Sequence, residues 1–242
     1  MSTTVCSSSL TQQLSTRALE DNFGPSGNIV VDDVPGNNTV AASLTTTNFR
    51  RGGSDDDALR GESSDDTLEG AEGNDDLNGD SGNDRLFGNQ GNDRCHGENG
   101  NDDIAGGQGN DTVEGNQDQD TLYGNLAEDS LHGGAGNDSL HGGQGNDTLV
   151  GGQGNDDLNG GLGDDRFVYA ADATGEDHIF GFQGAGVAGG DVVQIAASLL
   201  GGASIATLLT VDGHSTHLRF SNGLEIEFEQ VTGLTADDFV IV

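Results

Sequence analysis

From residue 52 to residue 168 one apolar side chain recurs at every ninth position. Leu59, Leu68, Leu77, Leu86, Cys95, Ile104, Val113, Leu122, Leu131, Leu140, Leu149, Leu158 and Phe167 follow one another at that interval without insertion or deletion. Nine is neither the 3.6-residue period of a helix nor the alternation of a long strand, so each unit must be a short element that turns back on itself. Each unit opens on Gly, and the residue two places before each apolar position is always Asp. The pattern predicts a six-residue turn followed by a three-residue strand, in which the eighth position of the unit faces inward and the seventh and ninth face out. A strand with one apolar residue cannot bury itself; stacked units can, which predicts an all-β solenoid.

The flanks follow other rules. Residues 1–51 are rich in Ser, Thr and Asn, with short strands expected at 27–34 and 38–44, as an irregular cap on the first coil or as part of a disordered tail. After residue 168 the pattern is that of ordinary β segments, at 166–170, 178–182, 191–196, 207–211, 216–221, 224–231 and 238–242. Alternation in Leu224-Glu225-Ile226-Glu227-Phe228-Glu229 marks a half-buried strand. Three regions are expected: 1–51, the repeats over 52–168, and a C-terminal β cap over 169–242.

Composition narrows the function. The formal net charge is -34, from 42 Asp and Glu against 8 Lys and Arg, so no basic surface exists to neutralise phosphates; nucleic acid and anionic lipid are excluded as partners, and a cation is favoured. No apolar run is long enough to span a membrane, and the first twenty residues lack the apolar core of a secretory signal. The leading Met1 and the closing strand lead us to expect a whole chain, not a fragment. Cys6 and Cys95 make no disulfide framework.

The full pattern of a unit is G-G-x-G-x-D-x-U-x, complete in Gly142-Gly143-Gln144-Gly145-Asn146-Asp147-Thr148-Leu149-Val150. It resembles the RTX nonapeptide of hemolysin-type calcium-binding proteins, a calcium-binding β-helix repeat. The resemblance implies a right-handed parallel β-roll, two units per coil, with calcium between loops eighteen residues apart. The residue types agree: glycines let the backbone approach a ligand, and carbonyl and carboxylate oxygens suit calcium and not zinc or copper. Odd and even units then form two columns, and the thirteen loops offer at most eleven gaps. Stacked carboxylates at a strand spacing of about 4.8 Å repel by roughly 3 to 4 kcal/mol per neighbour at an effective dielectric of about 20, so the metal-free array should be unfolded.

The ligands expected in units three to seven are Asp75, Asp84, Asp93, Asp102 and Asp111, with the loop backbones of Gly73 and Asn74, Gly82 and Asn83, Gly91 and Asn92, Gly100 and Asn101, and Gly109 and Asn110. In units ten to thirteen they are Asp138, Asp147, Asp156 and Asp165. The accompanying loop residues there are Gly133, Gly134, Gly136 and Asn137; Gly142, Gly143, Gly145 and Asn146; Gly151, Gly152, Gly154 and Asn155; and Gly160, Gly161, Gly163 and Asp164. Units one, two, eight and nine are degenerate, with Asp55, Ser64, Asp118 and Ala127 at the fourth position, and weaker sites are expected there.

Catalytic signals are absent from the sequence. No His precedes the repeats, so the zinc helix of serralysin-like proteases has no place, and no G-x-S-x-G motif occurs. His96, His132 and His141 fall at outward ninth positions, and His214 and His217, flanking an expected hairpin, lack a third metal ligand. Asp165 to Tyr169, Gly175 to Phe182 and Asp191 to Ile195 are similar to the region following RTX repeats in serralysin-type exported proteins, with Gly181 and Gln194 where that family commonly has Asp. Leu234 to Val242 resembles its uncleaved C-terminal secretion signal. These resemblances imply a non-enzymatic, secreted calcium-binding protein exported by a type I apparatus. Two alternatives remain open: a surface adhesin or matrix component that binds polysaccharide, associated with the cell surface, or an accessory module of a secreted hydrolase or epimerase.

Overall fold

The computed structural model describes residues 29–30, 39–41, 49–184 and 190–242, the first two segments as backbone only. Nearly all of it is two β-sheets, of 12 and 10 strands. Successive strands alternate between the sheets: Arg85–Gln90 lies in the larger, Arg94–Asn99 in the smaller, and Asp103–Gln108 returns to the larger. Every neighbouring pair through the repeats is parallel, with Leu86 beside Ile104, Cys95 beside Val113 and Leu122 beside Leu140. This is a parallel β-roll with two nonapeptides per coil.

The strands are longer than the pattern predicts. Most run six residues, as in Thr121–Leu126 and Thr148–Gln153, passing from the seventh position of one unit to the third of the next. The turn is correspondingly reduced to positions four to six. The sequence hid this because the first position, which carries the second inward-facing residue of the strand, is glycine and adds nothing to a hydrophobic pattern. Its burial and that of the sixth-position Asp give each unit three inward positions, of which one is apolar.

The apolar positions from Leu59 to Phe167 are all at most 2% exposed and form two facing columns between the sheets. At the N-terminal end Phe49–Arg51 pairs with Thr67–Glu72 and places Arg50 beside Leu68, in the apolar column. The buried guanidinium donates to the Arg60 carbonyl. Desolvation lowers its pKa, while Asp66 and the other acids nearby oppose that. Strands Ile29–Val30 and Thr39–Ala41 extend the two sheets outward by one more step each. The remainder of the strands expected at 27–34 and 38–44 lies outside the described residues.

The coil continues beyond the last nonapeptide. Glu176–Phe180 and Val192–Ile195 add to the two sheets in parallel, and Glu225–Phe228 and Phe239–Ile241 add again. Only then does the direction reverse, in the antiparallel strands Ser215–Arg219 and Leu209–Asp212. Here the interior widens and is filled by rings, with Phe182 5.9 Å from Phe167 and 5.1 Å from Phe228, and Phe239 6.1 Å from Phe228. No helix among the described residues is long and apolar enough to cross a membrane.

Candidate metal centre

The turns at positions four to six stack into two columns, one on each edge of the roll. Within a column each sixth-position carboxylate is fixed by the preceding coil: the backbone N–H of Asp75 donates to Asp93 Oδ1 at 2.8 Å, that of Asp93 to Asp111, and that of Asp84 to Asp102. The odd column runs from Asp57 to Asp165 and the even column from Asp66 to Asp156, as the eighteen-residue spacing predicts. One carboxylate oxygen is thus committed to the ladder. The other, Oδ2, is buried and without a hydrogen-bond partner in every repeat aspartate from Asp75 to Asp165. Asp57 differs, since the Gly53 N–H occupies its Oδ2.

A buried anion with an unanswered oxygen is costly. Burial pushes the carboxyls of Asp75, Asp84, Asp111, Asp120, Asp129 and Asp156 up to about 7, against the pull of the backbone N–H. Those of Asp102, Asp138 and Asp165 rise to about 6 for the same leading cause. Asp93 and Asp147 shift in the same direction, again through burial. The columns are therefore arranged as if a positive charge were meant to lie among them.

The glycines complete the cradle. At the fourth-position glycines φ is positive, and the preceding coil's loop approaches so closely that a Cβ on Gly91 would stand 1.5 Å from the Gly73 carbonyl oxygen. At the first position the obstacle is different: a Cβ on Gly88 would meet Asp93 Oδ2 at 2.3 Å, in the space the orphaned oxygen faces. Most fourth-position N–H groups are spent on the next coil, as Gly91 on the Gln108 carbonyl at 2.8 Å, but among the described residues the Gly91 carbonyl accepts no backbone N–H. Among the described residues no three acidic, His or Cys side chains converge on one point, so a cation here takes one carboxylate per loop and must draw its other ligands from backbone oxygen. That donor set fits calcium, which accepts six to eight oxygens including carbonyls.

Several features escaped the sequence pattern. The fifth position, mostly Asn, builds a second ladder running the opposite way: the N–H of Asn92 donates to Asn74 Oδ1 and that of Asn110 to Asn92 Oδ1, each at 2.8 Å. Among the described residues this ladder skips Asn137 and Asn146, whose predecessors are Gln119 and Glu128, both one methylene longer than Asn. Units eight and nine keep their loop shape nonetheless, with Asp118 and Ala127 held at φ 72° and 83°. A fourteenth loop also exists. Gly175 (φ 111°), Glu176 and Asp177 take positions four to six, Glu176 N–H joins the Asn155 ladder at 2.9 Å, and Asp156 N–H donates to Asp177 Oδ1 at 3.0 Å.

The Asp177 carboxyl is buried as well, beside the Tyr169 hydroxyl, and burial lifts it to about 8 against the pull of the Asp156 N–H and of that hydroxyl. A three-residue lengthening before this loop broke the register, although Gly175-Glu176-Asp177-His178-Ile179 still carries G-x-D-x-U. Asp191 ends the other column by accepting the Asp165 N–H, but its Oδ2 already takes the Gln183 N–H at 2.7 Å. The histidines form no metal site: His96 lies 3.3 Å from Glu114, and His217 bonds Glu225 at 3.0 Å. Cys95 is a buried free thiol in the apolar column.

Comparison with known proteins agrees with this geometry. The RTX calcium-binding nonapeptide repeat family matches at residues 51–86, 69–104, 96–131, 105–140 and 132–167. Among solved structures, the AlgE6R3 subunit of the Azotobacter vinelandii mannuronan C5-epimerase is similar, with 31% identity over 52% of this chain and 80% of that one, at a TM-score of 0.43. The extracellular lipase LipA from Serratia marcescens aligns with 88% of this chain at 18% identity and a TM-score of 0.29, this chain spanning 42% of the lipase. No curated protein matches the chain. With its nonapeptide register, its two columns of buried aspartate and its parallel coil, the chain belongs to the RTX calcium-binding repeat family.

Proposed function

We propose that this is a secreted, non-catalytic protein whose coil assembles around calcium outside the cell. The observation that carries the reading is the row of buried, unpartnered Oδ2 atoms on both edges of the roll. Bound between loops, calcium would supply the positive charge that this row lacks. The residues that would hold it are the sixth-position aspartates, Asp75, Asp84, Asp93, Asp102 and Asp111 in one stretch and Asp138, Asp147, Asp156 and Asp165 in the other, with carbonyls of the loop glycines and asparagines before them. Thirteen repeat loops give at most eleven gaps, and the Asp177 loop adds one more to the even column. Asp57, whose second oxygen is satisfied by Gly53, makes the first gap the weakest.

Export through a type I apparatus fits the C-terminus. In the folded coil the closing segment is consumed: Thr235 caps a turn by bonding Asp238, and Phe239 is buried as its strand joins the smaller sheet. A C-terminal signal there can be read only before folding, and low calcium inside the producing cell keeps the chain in that state. Circular dichroism tests the core of the proposal. In chelator the β signal should be lost, and about 10 mM calcium, well above the roughly 0.1 to 1 mM dissociation constants of extracellular modules, should restore it. Equal β content in both would defeat the reading.

A further inference from the structure

Both edges of the roll are lined with carboxylates, yet part of one face lacks them. On the larger sheet, the outward ninth, second and third positions from Phe87 to Leu162 read Phe87, Asn89, Gln90; Ala105, Gly107, Gln108; Tyr123, Asn125, Leu126; His141, Gly143, Gln144; Asn159, Gly161, Leu162. Not one is Asp, Glu, Lys or Arg, in a chain of net charge -34. The charged outward residues of these strands, Arg85, Asp103 and Asp157, are confined to the seventh position. Glu69 and Glu72 close the strip at its N-terminal end.

The same three columns of the smaller sheet are different. They carry Arg60, Glu62, Asp80, Glu98 and Glu114 and present no Phe or Tyr.

The strip is also shaped. Small residues at Ala105, Gly106 and Gly107 lower its floor, opening a trough of about 600 Å³. Phe87 stands at one end, the amides of Asn89, Gln108, Asn125 and Gln144 line it, and Leu126, 41% exposed, forms part of the wall. Beside it Tyr123 is 37% exposed and stacks on His141 with centroids 5.1 Å apart and planes 11° from parallel. Exposed rings offer apolar faces with a polar tip, and primary amides both donate and accept. Since neighbouring rungs repeat at about 4.8 Å, a linear partner lying along the coil axis would meet the same amide and ring chemistry rung after rung.

We infer that this strip binds an uncharged polysaccharide laid along the axis of the roll. The charge distribution selects the occupant. An anionic polymer would find no Lys or Arg in the strip to pair with, and a basic protein no Asp or Glu. A chain of neutral sugars needs what the strip has: ring faces for its C–H surfaces and amides for its hydroxyls. The inference rests on the calcium-loaded fold but not on the number of ions, and it gives the polysaccharide-binding alternative a surface and a chemical class.

The test uses the full chain in 10 mM calcium, its β content checked by circular dichroism in each sample, so that a failure to fold is scored against the calcium reading and not against the strip. Native affinity electrophoresis is run through gels containing hydroxyethyl cellulose, laminarin, galactomannan or dextran, with alginate and polygalacturonate as anionic counterparts. Retardation by at least one neutral polymer and by neither anionic one is expected. Ala105→Glu should weaken that binding at least tenfold while leaving the fold intact, because Glu69 and Glu114 already occupy ninth positions. Tyr123→Ala should weaken it severalfold. Binding that is stronger to the anionic polymers, indifferent to both substitutions, or absent for every neutral polymer tried would overturn the inference. So would self-association of the wild-type chain in sedimentation that Ala105→Glu abolishes, which would assign the strip to a second copy.

Discussion

At the residue scale the sixth and fifth positions do different work, although both accept a backbone N–H from an adjacent coil. Asp111→Asn keeps an oxygen able to accept the Asp93 N–H but removes the anion, so we expect fewer calcium ions per chain by equilibrium dialysis with atomic emission, with the coil still forming at high calcium. Asn92→Ala removes one rung of the outer ladder, a loss of about 1 kcal/mol, and should shift the unfolding midpoint while leaving the ion count unchanged. If the two variants lose calcium equally, the assignment of the metal to the aspartates fails. The second position supplies another test. Ala71 and Glu98 sit at φ 92° and 76°, in the left-handed region that costs an L-residue roughly 1 to 2 kcal/mol, and Ala71→Gly or Glu98→Gly should stabilise the roll. Later units already carry Gly there, as in Gly134 and Gly143.

At the scale of the element, a coil is held by one apolar residue from each sheet and by its two turn ladders. Leu131 is completely buried, and Leu131→Ala should cost about 2 to 5 kcal/mol in denaturant unfolding of the calcium form. The break in the outer ladder at Gln119 and Glu128 marks the weakest stretch of the roll. Glu128→Asn should let the Asn146 N–H find its acceptor and raise the midpoint, and limited proteolysis at low calcium should cut first between residues 115 and 132. Most of this was legible beforehand. The degenerate units eight and nine stood out in the sequence by their missing glycines, but the reason they weaken the coil, a fifth-position side chain too long to turn back on the adjacent loop, appears only when loops are stacked. The longer strands and the Asp177 loop were missed because glycine is silent in a hydrophobic pattern and because a fixed register cannot see past an insertion.

For the whole molecule the raised carboxyl pKa values set the sign of the pH response. A carboxyl near 3.8 in the unfolded chain and near 7 in the metal-free coil binds protons more tightly when folded, so its penalty on the coil is absent below about 4, grows as pH rises, and is complete above about 7. Lowering the pH of chelated protein from 7.5 toward 4 should therefore recover β structure without calcium, an outcome readable by circular dichroism. With calcium bound the direction reverses, since acid competes with the metal for the same oxygens, and the calcium midpoint should rise as pH falls from 7 to 5.

The sequence by itself determined the repeat, its register, the division of aspartates into two columns and the preference for a hard cation, because a nine-residue period leaves few geometries in which one apolar residue per unit can be buried. It also determined that no basic surface exists. Only the tertiary structure decided which carboxylate oxygen is left unanswered, where the outer ladder fails, how far the columns continue past the repeats, and that a strip of one face lacks Asp, Glu, Lys and Arg. Those properties depend on residues eighteen or more positions apart meeting side by side, and such neighbours exist only once the coil has closed upon itself.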